Sequence, residues 1–160
     1  MERSEAARDC FEPSLAIHRE LGDRRVEGII LGNLARLDEL DGEAGTARAG
    51  YESALAIHRE VGDVHYEATT LTSLASLLLG EGSQDRARAA LATAESILRE
   101  IDARQELART LCLRAELEQG TGNAEAARTA LDEAETLAAE LGAPPDSELG
   151  RAIARARGLS

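Results

Sequence analysis

A chain of 160 residues with 30 acidic side chains against 18 basic ones carries a formal charge of −12. That balance argues against nucleic acid and anionic membrane as partners, since both demand clustered basic residues. At 43% hydrophobic the chain can bury a core, and at 2% aromatic the core must be Leu, Ile and Ala.

Apolar residues at three- and four-residue steps predict helices from end to end. The first covers residues 3–21, on the spacing of Ala7, Phe11, Ser14 and Ile17. Pro13 interrupts it, and an interior proline costs about 3 kcal/mol, so the helix kinks there or begins at Glu12. Gly22 ends it and Asp23 caps the second helix, 23–40, whose Leu31, Leu34, Ala35 and Leu37 face inward. After Gly42 the third helix runs over 43–61 and buries Ala47, Tyr51, Ala54 and Ile57. Gly62 and Asp63 repeat the stop and restart. The fourth helix, 63–79, carries Leu71, Leu74, Ala75 and Leu77. Gly80 and Gly82 bracket the next turn, and Ser83 caps the fifth helix, 84–101, which buries Ala87, Leu91, Ala94 and Ile97. At its end Asp102 replaces the glycine, and Gln105 completes a capping-box pattern. The sixth helix is 103–119, with Leu111, Ala115 and Leu117. Gly122 and Asn123 start the seventh, 124–141, which buries Ala127, Leu131, Ala134 and Leu137. After Gly142, Ala143, Pro144 and Pro145, either Asp146 or Ser147 caps a short last helix, 147–157, apolar at Leu149 and Ile153 and polar at Arg151, Arg155 and Arg157. Alternating β-branched runs and Asn-Gly turns, the marks of strands and hairpins, are missing.

These helices repeat. Residues 14–23 read SLAIHRELGD and residues 54–63 read ALAIHREVGD, an offset of 40. Ile17, Ile57, Ile97 and Leu137 share a column, as do Glu20, Glu60, Glu100 and Glu140. A fixed period of this size marks a stacked-repeat protein. Small residues hold fixed places: Ala35, Ala75 and Ala115 in the first helix of each unit, then Ala47, Ala87, Ala127 and Ala54, Ala94, Ala134 in the second. They let helix axes approach to the near end of the usual range of about 8–10 Å. The larger column of Tyr51, Leu91 and Leu131 fills the gap between them.

The pattern Leu31-x-x-Leu34-Ala35, then Gly42, Ala47, Tyr51 and Ala54, resembles the tetratricopeptide repeat, and the period of 40 resembles the longer-helix subclass of bacterial regulators and kinesin light chains. The resemblance implies an all-α architecture, an α-α superhelix of about seven antiparallel helices with a short C-terminal capping helix. Residues 1–160 then form a single array: a half repeat at 1–23, full repeats at 24–63, 64–103 and 104–143, and the capping helix in 144–160. Asp38 and Glu118 depart from the family, which has an aromatic there, and Arg114 replaces a leucine.

In that family the first helices of the repeats line a concave groove that binds peptides. The resemblance places Ile29, Gly32, Asn33, Arg36, Thr69, Thr72, Ser73, Ser76, Arg109, Cys112 and Glu116 in the groove. Asn33 matches the asparagine that clamps a bound peptide's backbone in kinesin light chains and bacterial peptide receptors, although its counterparts here are Ser73 and Leu113. The basic clamp of chaperone-tail-binding relatives is not matched, since only Arg109 has the required charge. The resemblance thus implies a protein- or peptide-binding scaffold, or alternatively a ligand-sensing domain of a bacterial regulator. An adaptor keeps its dimensions when ligand binds, whereas a sensor changes them.

His18 and His58 share a repeat column and His65 follows, but repeat inheritance explains the pair without a metal. No catalytic set and no phosphate-cradling loop is visible, so neither an enzyme nor a cofactor is expected. Cys10 and Cys112 lack metal spacing and read as reduced thiols, and the first 20 residues hold no signal-peptide core; the expected location is cytoplasmic. The stretch 123–141, with five acids against one base, offers an acidic docking face. Solenoids need polar ends, and Phe11 and Leu15 are expected to stay exposed at the N-terminal one: either the chain is the tail of a longer protein, or that end is a site of self-association, which the polar C-terminal helix makes the favoured reading.

Overall fold

The computed structural model describes residues 2–158, with side chains from Glu5 onward. Eight helices follow in order: α1 (Glu2–Glu20), α2 (Arg24–Leu40), α3 (Ala44–Val61), α4 (Val64–Gly80), α5 (Gln84–Glu100), α6 (Arg104–Gly120), α7 (Ala124–Glu140) and α8 (Glu148–Ala156). The described residues contain no strand.

The turns obey a stricter rhythm than the repeat. Gly22, Gly42, Gly62, Gly82, Gly122 and Gly142 all have positive φ, and they stand twenty residues apart or a multiple of it. After each, the next backbone N–H reaches back to the last turn of the helix: Asp23 to the His18 carbonyl at 2.9 Å, Asp63 to His58 at 2.8 Å, Asn123 to Glu118 at 2.8 Å. This is the left-handed helix stop for which glycine carries no steric penalty. Asp102 occupies the same place with φ +52°, and Ala103 still reaches Leu98 at 2.9 Å. The expected capping box is therefore absent. Ala103 precedes α6 without a side-chain cap, because Asp102 is spent on the left-handed corner. Asp23, Asn123 and Ser147 do cap, accepting from Val26, Ala126 and Gly150.

Pro13 neither starts nor ends α1, which runs unbroken through it. Pro13 lies on the exposed side, where a carbonyl that loses its helix partner can turn to water.

The chain divides into two compact units, residues 1–77 and 78–160. In the first, α2 packs between α1 and α3. The α2–α3 contact is close because its residues are small: a Cβ on Gly50 would sit 2.8 Å from that of Ala35. Ala35, Ala47, Ala54 and Ala75 are all buried, as their columns require. The inward face of α2 differs by one residue from expectation, with Ile30 buried and Leu31, Leu34 and Leu37 half-buried. Leu15, expected at the surface, is only 9% exposed, and Phe11 is half-buried, on a helix that packs against α2. The exposed apolar groups of this unit are instead Ile17, Leu21 and Leu40, with Val61 and Val64.

In the second unit α6 packs against α5, α7 and α8. Ala87, Ala94, Ala115, Ala127 and Ala134 are buried as expected. Ile97, Leu131 and Leu137 are half-buried, and Leu98 and Ala138, one residue on, face in. The helix α8 turns Leu149, Ala152, Ile153 and Ala156 inward.

Arginine accounts for all 18 basic residues, and its ion pairs repeat with the fold. Arg8 reaches Asp38 at 2.9 Å, and Arg88 reaches Glu118 at 2.9 Å, across the same thirty-residue interval. The two acids that depart from the family's aromatic are thus each answered by an arginine one helix earlier. Arg19–Glu27 and Arg59–Glu67 form a second such pair, at 2.9 and 2.7 Å. No described helix is long and apolar enough to cross a membrane.

Candidate functional site

On the first unit, α2 and α4 carry eight of the residues named from the groove motif. Ile29 and Asn33 are half-buried and Arg36 is exposed. Arg36 forms no ion pair with any described residue, and the Asn33 carboxamide makes no hydrogen bond with one. They stand three residues apart on α2, which brings both to one face. Gly32 does not join them. A Cβ there would lie 3.9 Å from both Ala54 and the Thr70 hydroxyl, so this position packs toward α3 and α4.

On α4 the hydroxyls bond to their own helix. Thr69 donates to the Tyr66 carbonyl at 3.2 Å, Thr72 to Ala68 at 3.1 Å and Ser73 to Thr69 at 3.2 Å. A hydroxyl that spends its proton this way has only lone pairs to offer, which makes Thr69 an acceptor for any approaching group. Ser76 is exposed one turn on.

Two residues that the groove motif does not name lie against this face, Tyr51 buried and Glu39 half-buried. The Tyr51 hydroxyl donates to Glu39 at 2.8 Å, with Arg36 and Ser73 close enough to act on it. Burial, with the Glu39 carboxylate added, holds the phenol well above its ordinary range. The signal lay in the column Tyr51, Leu91, Leu131: a hydroxyl set among leucines needs a partner when buried.

The second unit treats the corresponding stretch of α6 differently. Arg109 is ion-paired with Glu148 at the start of α8, and Glu116 lies 3.7 Å from Arg155 near its end. Between them Cys112 is 2% exposed, and burial pushes its thiol up to about 11. Burial also raises the Glu116 carboxyl. A ligand meets Cys112 only if α8 moves.

The second unit also holds an open cleft of about 480 Å³ between α5 and α7, with α6 as its floor. Glu95 and Arg99, Leu111 and Arg114, and Glu125 and Glu133 line it. Its wall is a chain of ion pairs: Arg114 to Glu95 at 3.0 Å, Glu95 to Arg99 at 3.2 Å, Arg99 to Glu133 at 3.0 Å. Part of the acid-rich face of α7 is therefore already engaged. In the repeat register Glu95 and Arg114 replace Leu55 and Leu74. Arg114 was visible as a departure, but Glu95, buried beside it, was not.

Among the described residues no group of three or more His, Cys, Asp or Glu side chains could hold a metal ion.

Residues 27–100 match the family model described as tetratricopeptide repeat. No curated protein matches the chain. Among solved structures it is similar to BtubC (BKLC) from P. vanneervenii, with 20% sequence identity and a TM-score of 0.78. The likeness covers 89% of this chain and 59% of that one, and at such identity it establishes the fold alone.

Proposed function

Residues 27–100 belong to the tetratricopeptide repeat family, and on that premise we propose that the chain is a protein- or peptide-binding scaffold whose ligand lies on the α2–α4 face of the first unit. Repeats of this kind mediate contacts between proteins. The observation that carries the placement is the freedom of Arg36 and Asn33. In a chain with 30 acids for 18 bases, and with most other described arginines paired, an arginine without an ion pair among the described residues, beside a carboxamide likewise without a hydrogen bond among them, is available to a partner.

The chemistry follows from the donors and acceptors present. Arg36 offers up to five N–H donors to a carboxylate or carbonyl. Asn33 can donate and accept at once, which matches the two groups of a peptide unit. Thr69, its proton already committed, receives an N–H. An extended segment that presents backbone amides to Asn33 and Thr69 and an acceptor to Arg36 satisfies all three. A few such anchors carry most of an interface's affinity.

The reading narrows the groove to Ile29, Asn33, Arg36, Thr69, Thr72, Ser73 and Ser76. Arg109, Cys112 and Glu116 join only if α8 gives way. The test is capture of partners from the source cell on wild-type chain and on the double variant Asn33→Ala, Arg36→Ala. A partner held by the first and lost at least about tenfold by the second, with unchanged melting of the bait, supports the face. Equal retention by both overturns it.

A further inference from the structure

The first unit buries a histidine with nothing to bond to. His58, in the last turn of α3, is 1% exposed, and neither ring nitrogen has a hydrogen-bond partner among the described residues. Its ring stacks on Tyr66 of α4, with centroids 5.5 Å apart and planes 20° from parallel. From α2 it meets Gly28 so closely that a Cβ there would lie 2.8 Å from Cε1. A buried polar group left unpaired is costly, and native structures seldom keep one without a reason.

The repeat supplies the comparison. His18 stands in the same column forty residues earlier. Asp23, five residues on, caps Val26 with Oδ1 and lies 3.4 Å from the His18 Nδ1 with Oδ2. Asp63 is the counterpart of Asp23. Its Oδ1 likewise caps Tyr66, at 3.3 Å, but its Oδ2 accepts from the Arg25 Nε at 2.7 Å. The carboxylate oxygen that faces histidine in one repeat is held by arginine in the next.

The surrounding charges allow an exchange. Asp63 and Glu67 are the acids that act on the ring, and Glu67 is engaged by Arg59 at 2.7 Å. On α2 the neighbour of Gly28 is Glu27, already held by Arg19 and Arg24. That leaves Asp63, its side chain buried, whose present partner Arg25 is largely exposed and free to swing away into water.

We infer that Asp63 is a shared partner: Arg25 holds it while His58 is neutral, and His58 takes it when the ring gains a proton, so that acid releases the first turn of α2 from the α3–α4 corner. The α2 helix also carries Asn33 and Arg36, but the exchange does not depend on what they bind.

The test is an NMR titration of the histidine rings in the full chain, with signals assigned through His18→Gln and His65→Gln. In Arg25→Ala the freed carboxylate should raise the His58 midpoint by at least about 0.3 pH units. Asp63→Asn, which keeps the helix cap, should lower the midpoint and abolish the effect of Arg25→Ala in the double variant. A His58 midpoint that ignores Arg25→Ala overturns the proposal. So does a ring that stays neutral in Arg25→Ala until the chain unfolds.

Discussion

In the first unit α2 leaves Asn33 and Arg36 without a partner among the described residues, while in the second the matching stretch of α6 gives Arg109 to Glu148 and Glu116 to Arg155. The repeats are alike in backbone and in their alanine columns. They differ in what lies beside the row. A chain of like hairpins presents the same positions again and again, and which of them meet solvent depends on the element that comes next. Here α8 closes the row on α6. The packing differs as well: a leucine pair in the first unit, Leu55 and Leu74, becomes the Glu95–Arg114 ion pair in the second.

The strongest way to break this contrast is to lift α8. Gly150 leaves no room for a side chain, since a Cβ would come within 2.4 Å of the Pro144 and Pro145 carbonyl oxygens. Gly150→Ala should therefore displace the start of α8, at a cost of about 3 kcal/mol. Cys112 then becomes accessible, and its alkylation, followed by peptide mass spectrometry, should speed up at least about tenfold. Cys10, exposed from the start, serves as the internal control. An unchanged Cys112 rate would show that α8 does not shield the row.

The second break restores the first unit's leucines. Arg114→Leu alone strands the buried Glu95, 5% exposed, with only Arg99 beside it. Leaving a buried charge short of its partner should cost about 2–3 kcal/mol in denaturant unfolding. Glu95→Leu combined with Arg114→Leu should recover most of that loss, because well-packed apolar groups replace a buried pair at little or no cost. A double variant no better than the single one would mean that the cleft cannot accept the leucine packing.

How much of this was legible beforehand depends on how far apart the deciding residues lie. Columns at one interval announced the helices and their small-residue contacts, and Ala35, Ala75 and Ala115 are buried as the period requires. The inward face of α2 was missed by one position because Leu31 and Ile30 are both apolar, and only the facing helix chooses between them. Asp38 and Glu118 looked like defects because their arginines, Arg8 and Arg88, lie thirty residues away. The candidate face on α2 was named from family resemblance. The loss of the same face on α6 was not, since the docking of α8 is a fact of three dimensions.

Acid should separate the units next. All three histidines lie in residues 1–77. Burial holds the His58 pKa below its ordinary value of 6.5. The unfolded chain therefore binds more protons than the folded one between the folded pKa and 6.5. Stability falls as pH drops through 6.5 and levels off below the folded value, with a slope of at most about 1.4 kcal/mol per pH unit. In the second unit the raised Glu116 works in the opposite sense, since protonation relieves its burial. Glu27 and Glu118, lowered by their arginines, lose stabilising charge only below 4.5. Hydrogen exchange at pH 7 and pH 5.5 should show faster opening at residues 24–30 and 56–68, with little change at residues 104–140. Equal acceleration in both units would remove His58 as the cause.

The smallest effect sharpens the comparison at its most regular feature. Asp102 alone among the twenty-residue corners is not glycine, and it takes up φ +52° at the entrance to α6. A side chain in the left-handed region costs about 1 kcal/mol, somewhat less for aspartate, which is among the residues that tolerate it best. Its carboxylate is largely exposed, and its contact with Arg104, at 3.9 Å, is too long to offset that cost. Arg104 moreover has Glu140 as a nearer partner. Asp102→Gly should therefore stabilise the second unit by about 0.5–1 kcal/mol, reduced by the greater freedom glycine gives the unfolded chain. Gly62→Asp, at the matching corner of the first unit, should destabilise by a similar amount. Thermal melting of both variants measures the pair, and a loss of stability in Asp102→Gly would mean that the carboxylate, and not the backbone, decides this corner.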